Sequence, residues 1–97
     1  MTTARYQISP QVAWVDAETI GQEGATIYVA AAVDAPPVVL EGTAWAIWSS
    51  VADGGTLDEI TRRTAERTGN DAAAIGSDVE AFLESLTHRG LLVRRPA

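Results

Sequence analysis

The chain has 97 residues, 46% of them apolar, which suits one compact domain over residues 1–97 and leaves no room for two. Its positive charges are seven arginines against thirteen acids, a net −6 that repels a phosphate backbone and points to protein or peptide partners rather than nucleic acid. With no cysteine, disulfides, thiolate metal sites and thiol chemistry are excluded, and with no apolar run near the roughly 18 residues of a membrane span or a signal core, a cytoplasmic protein away from the membrane is expected.

The first 42 residues read as strand. Val12-Ala13-Trp14-Val15 and residues 25–33 are rich in β-branched and aromatic side chains, and the polar and glycine residues between them predict a hairpin. Ala30-Ala31-Ala32 leaves the register of the second strand open. Asp34-Ala35-Pro36-Pro37 predicts a turn, because proline fixes φ and donates no ladder hydrogen bond, and Val38-Val39-Leu40 predicts a third, short strand at a sheet edge.

From Gly42 onward the period becomes helical. Thr43 is a candidate N-cap for a first helix in which Ala44, Ile47, Trp48 and Val51 recur at helical spacing, ending at Asp53-Gly54-Gly55. Thr56-Leu57-Asp58-Glu59 spells a capping box for a second helix with a thin stripe of Leu57, Ile60 and Thr64, stopped at Gly69 and carrying Arg62, Arg63 and Arg67 outward. The third helix has the strongest stripe, Ile75, Val79, Phe82, Leu83 and Leu86, and two candidate starts, at Asp71 or at the box Ser77-Asp78-Val79-Glu80. His88 and Arg89 suit its C-terminus, Gly90 its stop, and Leu91-Leu92-Val93 a short extended return.

Nothing in this pattern spells catalysis. A single histidine with no cysteine cannot form a local nucleophile and base pair, and neither a phosphate-binding glycine loop nor a metal-ligand cluster occurs, so no catalytic residue, metal or cofactor is assigned. Asp58 and Glu59 are adjacent on a helix and point apart, which makes them first-turn charges rather than an acid–base pair. Trp48 falls on the core stripe, whereas Trp14 and Trp45 stay open between core and partner surface.

Taken in order, Val38-Val39-Leu40-Glu41-Gly42-Thr43-Ala44, Ile47-Trp48, Gly55-Thr56-Leu57-Asp58-Glu59-Ile60, residues 78–86 and Arg89-Gly90-Leu91-Leu92 resemble the PqqD-like family, the recognition elements of ribosomally made, post-translationally modified peptides. The length and the Ile47-Trp48 pair are most similar to the stand-alone leader-binding proteins of lasso-peptide biosynthesis. The resemblance implies an α+β fold, winged helix-turn-helix-like, with an N-terminal three-stranded antiparallel sheet at about 5–41 and three helices at about 43–90. One departure is Glu41-Gly42, where the family often has Asn after the third-strand leucine, so the first helix need not begin as the family's does.

The resemblance further implies that a leader peptide lies extended between the third strand and the third helix. Backbone pairing to an edge strand would supply affinity, and side-chain pockets would supply selectivity. On this sequence the implied contacts are Pro37, Val38, Val39, Leu40 and Glu41 from the strand side, and Ile75, Asp78, Val79, Phe82 and Ser85 from the helix. A lasso leader would bring an aromatic residue and a proline to an apolar pocket near Pro37, Val39 and Phe82, and Asp78, Glu41 or Glu84 would meet its basic residues. The implied partners are the precursor leader, a leader peptidase and, further along the pathway, a cyclase. Val79, Phe82 and Leu86 read first as plain core and only second as pocket, and Asp78 reads equally as a helix charge. A winged-helix DNA regulator, which three helices with a small sheet also describe, and an adaptor or dimerisation domain that pairs its exposed third-strand edge with another copy remain as alternatives.

Overall fold

Ile27 and Val29 alternate with Thr26 and Tyr28, the period-two pattern of a strand with one buried face, and this segment becomes the centre of a three-stranded sheet. The computed structural model describes residues 4–21, 25–30 and 36–96, the side chains of residues 19 and 20 excepted. In chain order the elements are β1 (Ala4–Ile8), β2 (Ala13–Asp16), a 3-10 turn (Ala17–Ile20), β3 (Thr26–Ala30), β4 (Val38–Glu41), α1 (Thr43–Val51), β5 (Gly55–Thr56), α2 (Leu57–Thr68), α3 (Ala72–His88) and β6 (Leu92–Pro96). The fold is α+β, with antiparallel strands and three helices.

The expected three-stranded sheet is present as β2-β3-β4. Its register pairs Trp14 with Val29 and Val15 with Tyr28 on one side, and Ile27 with Leu40 and Tyr28 with Val39 on the other. Residues 31–35, which include the end of the expected second strand and the start of the proline turn, lie outside the described residues.

A single N-terminal sheet was too simple an expectation. A second three-stranded sheet, β5-β1-β6, joins the two ends of the chain: Tyr6 pairs with Gly55 on one side and with Arg94 on the other. Leu91-Leu92-Val93 does return extended, and its partner is β1. The pairing is chemically reasonable because Tyr6, Leu91 and Leu92 are all buried by it. β1 itself is five residues of weak alternation, Ala4, Tyr6 and Ile8 against Arg5 and Gln7, a signal too short to be read locally.

The helix ends follow the capping rules with one correction. Thr43 is not the N-cap of α1; Gly42 is, with φ 61° and ψ −124°, a conformation open to glycine alone, and no side chain caps the helix. The Glu41-Gly42 departure thus has a structural consequence: the chain leaves β4 through a backbone that only glycine allows. Thr56 and Glu59 form the full capping box of α2, each side chain accepting from the other residue's backbone N–H at 3.3 and 2.9 Å respectively. Of the two candidate starts for α3, Asp71 is the one used, its carboxylate accepting from Ala73 N–H at 3.1 Å. The helix closes in a Schellman motif, with Leu91 N–H to Leu86 O and Gly90 N–H to Thr87 O, both 3.0 Å.

These ends hold the apolar stripes against one core. Trp48, Ile27, Ile60, Leu83, Leu86, Val29, Val51 and Val79 are almost wholly removed from solvent, each such burial stabilising by about 1.5–3 kcal/mol relative to exposure. The thin stripe of α2 suffices because Thr64, also fully buried, satisfies its hydroxyl on Ile60 O at 2.8 Å and so serves as a core residue. Among the described residues no helix is long and apolar enough to cross a membrane.

Candidate functional site

β4 follows two prolines and pairs on one side only. Among the described residues, β3 is its partner and no strand lies along its other edge. Pairing with β3 sends Val38 and Leu40 inward, Leu40 fully buried and Val38 half-buried, and leaves Val39 and Glu41 pointing out. Val39 is 48% exposed, one of two large apolar side chains left so open among the described residues.

The helix residues divide by the 3.6 period. Val79 is fully buried with Leu83 and Leu86; Ile75 and Phe82 are half-buried along the margin of that stripe; Asp78 and Ser85 are exposed. Five of the expected site residues, Val38, Leu40, Ile75, Val79 and Phe82, therefore meet in one apolar cluster. Pro37, Val39, Glu41, Asp78 and Ser85 stand outside it on the surface. Pro37 lines a shallow apolar groove of about 240 Å³ with Trp14, Val15 and Tyr28, which neither Val39 nor Phe82 enters. The pleat points Val39 away from the core towards which Phe82 packs.

A second region assembled by the fold had no signal in sequence spacing. Asp16, at the end of β2, accepts from Glu18 N–H on one oxygen and from the Trp45 indole N–H on the other, both at 3.0 Å. The Arg67 guanidinium lies 5.9 Å from the centre of the Trp45 ring. Trp14 sets its ring edge-on to Trp48 at 6.0 Å and 76°, yet stays 40% exposed. These residues border a cavity of about 560 Å³ that Glu18, Ser49 and Asp53 also line. Trp48 is core as expected; Trp45 is half-buried, packed against the core and lining the cavity, and Trp14 is the more exposed of the two indoles that border it.

The arginines of α2 are not uniformly a solvated face. Arg63 turns back and donates from Nη1 to Ser50 O and Gly54 O at 2.9 and 2.8 Å, satisfying one carbonyl in the last turn of α1 and one in the loop after it, while Arg62 stays exposed. Glu59 lies 3.6 Å from Arg5 and 3.9 Å from Arg63. Its carboxyl is held below the usual carboxylate range, first by the Thr56 backbone N–H, then by the Thr56 hydroxyl, with the two arginines adding to the effect. This acid is structural. His88 is exposed in the last turn of α3, where a cation complements the helix dipole. Among the described residues no group of three or more His, Cys, Asp or Glu is placed to hold a metal ion.

The short α+β frame leaves one edge of β4 unpaired among the described residues, with a half-buried helix margin packed on the same core, an arrangement that permits a peptide to add as a strand. Comparison makes the class specific: the family described as Coenzyme PQQ synthesis protein D (PqqD) matches residues 30–92, about two-thirds of the chain, and the chain belongs to that family. The family is a non-catalytic recognition domain that binds peptide and partner enzymes in the biosynthesis of ribosomally made, modified peptides. No curated protein and no solved structure matches the chain.

Proposed function

We propose that this domain, on a winged-helix-like frame spanning residues 1–97 and working in the cytoplasm, binds the leader of a precursor peptide as an added strand on β4. In this reading the leader runs along the free edge of Val38-Val39-Leu40 and rests against α3, which presents it to a leader peptidase or another modifying enzyme. The observation that carries the reading is β4 itself, unpaired on one side among the described residues and bearing the exposed Val39. Main-chain pairing there gives affinity with little demand on leader sequence. Phe82 and Ile75, half-buried at the helix margin, offer apolar surface to leader side chains, and Asp78, Glu41 and Glu84 would tune contacts with basic leader residues by at most ~1 kcal/mol each. The precursor class proposed is the lasso peptide, whose leader aromatic residue and proline suit this apolar margin.

The test is a titration of a fluorescent, unmodified precursor leader into the full chain. Val39→Asp and Phe82→Ala, each checked for an intact fold by circular dichroism, are expected to weaken binding tenfold or more, and Asp78→Asn less than fivefold. Binding of both folded variants at wild-type strength would remove the groove. Light scattering with and without leader separates this reading from pairing of β4 with a second copy, which would give a peptide-sensitive dimer.

A further inference from the structure

β2 is the opposite edge of the sheet from β4, two strand spacings or roughly 10 Å away. It too pairs on one side only among the described residues. The two large apolar side chains left exposed there are divided between these edges, Val39 on β4 and Trp14 on β2. An exposed tryptophan beside a cavity is the residue type that dominates binding energy at protein interfaces.

The chemistry of that cavity selects its occupant. Its walls hold two indoles, Trp14 and Trp45, and three carboxylates, Asp16, Glu18 and Asp53, against one cation, Arg67. Trp45 is not free to rotate, since its N–H is held by Asp16. A planar guanidinium on an indole face with carboxylates at its rim is the arrangement such walls favour, and the chain's own Arg67 already takes it over Trp45. Arg67 leaves surplus negative charge in these walls, and Trp14 beside them stays 40% exposed.

We propose that the Trp14–Trp45 cavity on the β2 side is a second docking surface, which takes an arginine-bearing segment of a partner protein while β4 remains available. This surface stands independently of the leader reading. It gives the domain two opposite edges, so that one partner does not compete with the other for backbone pairing.

The test uses the full, 15N-labelled chain and the probe acetyl-Gly-Arg-Gly-Arg-Gly-amide, read on the indole N–H resonances of Trp14 and Trp45. Saturable shifts of both are expected, with none for the same peptide carrying Glu in place of Arg. Glu18→Gln combined with Asp53→Asn, two side chains outside the core, should weaken the probe at least fivefold. Val39→Asp should leave it unchanged, which separates failure here from failure of the β4 site. Absence of saturable shifts, or equal binding by the double variant, overturns the proposal. So does a concentration-dependent dimer of the peptide-free chain that Trp14→Ala disperses, because the face would then belong to a second copy.

Discussion

Glu59 shows how a single carboxylate can join three parts of the molecule. It closes the capping box with Thr56, faces Arg5 from β1 and lies one turn from Arg63, which in turn holds the Ser50 carbonyl in the last turn of α1. Because the Thr56 hydrogen bonds hold its carboxyl below the ordinary carboxylate range of about 4.5, its ionised form stabilises the folded chain fully above about that pH, and this contribution is lost as pH falls through the lower folded value. Glu59→Gln keeps a neutral acceptor for Thr56 N–H but loses the charge. The urea midpoint of wild type should therefore exceed that of Glu59→Gln most at pH 7, with the gap closing below pH 4.5. A gap that stays constant down to pH 3 would contradict the assignment. The capping box was legible as Thr56-x-x-Glu59, because both partners lie within one turn. Arg63 on Ser50 and Trp45 on Asp16 were not, since their partners stand 13 and 29 positions away and no local period records them.

Elements with a strong stripe and local caps are legible in the sequence, whereas β1, a short strand held only by distant partners, is not. α3 announced itself through Ile75, Val79, Phe82, Leu83 and Leu86, but its start was ambiguous because Asp71 and Ser77 both satisfy the capping pattern. The fold chooses Asp71, which adds a turn and a half of helix containing Ile75, at the margin of the proposed leader groove. Asp71→Ala should then cost about 1 kcal/mol of stability. Ser77→Ala, an exposed mid-helix change to a better helix former, should be neutral or slightly stabilising. Urea denaturation of both variants checks this, and the reverse order would place the functional start of α3 at Ser77. For the site, the strand β4 and the stripe of α3 could be read from pattern. The outward direction of Val39 against the inward packing of Phe82 could not, because it depends on which face of β4 meets the core.

At the scale of the whole molecule, the part that matches the family and the part that folds are not the same length. The match spans residues 30–92, which includes β4 and all three helices but begins at the last residue of β3. It leaves out β1 and β2, and with them the central partner of each sheet is lost or cut short: β4 would lose β3, and β5 and the start of β6 would lose β1. Tyr6, Ile27 and Val29, all buried, would vanish from the core around Trp48. Removing three such side chains forfeits roughly 4–9 kcal/mol, comparable to the entire stability of about 5–15 kcal/mol expected of a domain. A fragment of residues 30–92 is accordingly expected to retain helical circular dichroism, to bind a hydrophobic dye, and to unfold without a cooperative urea transition, whereas the full chain unfolds in one step. A sharp, wild-type-like transition of the fragment would mean that the strands before Ala30 are accessory. The expected loss would instead make β1 and β3 the frame that keeps β4 extended, with its outer edge open to a peptide.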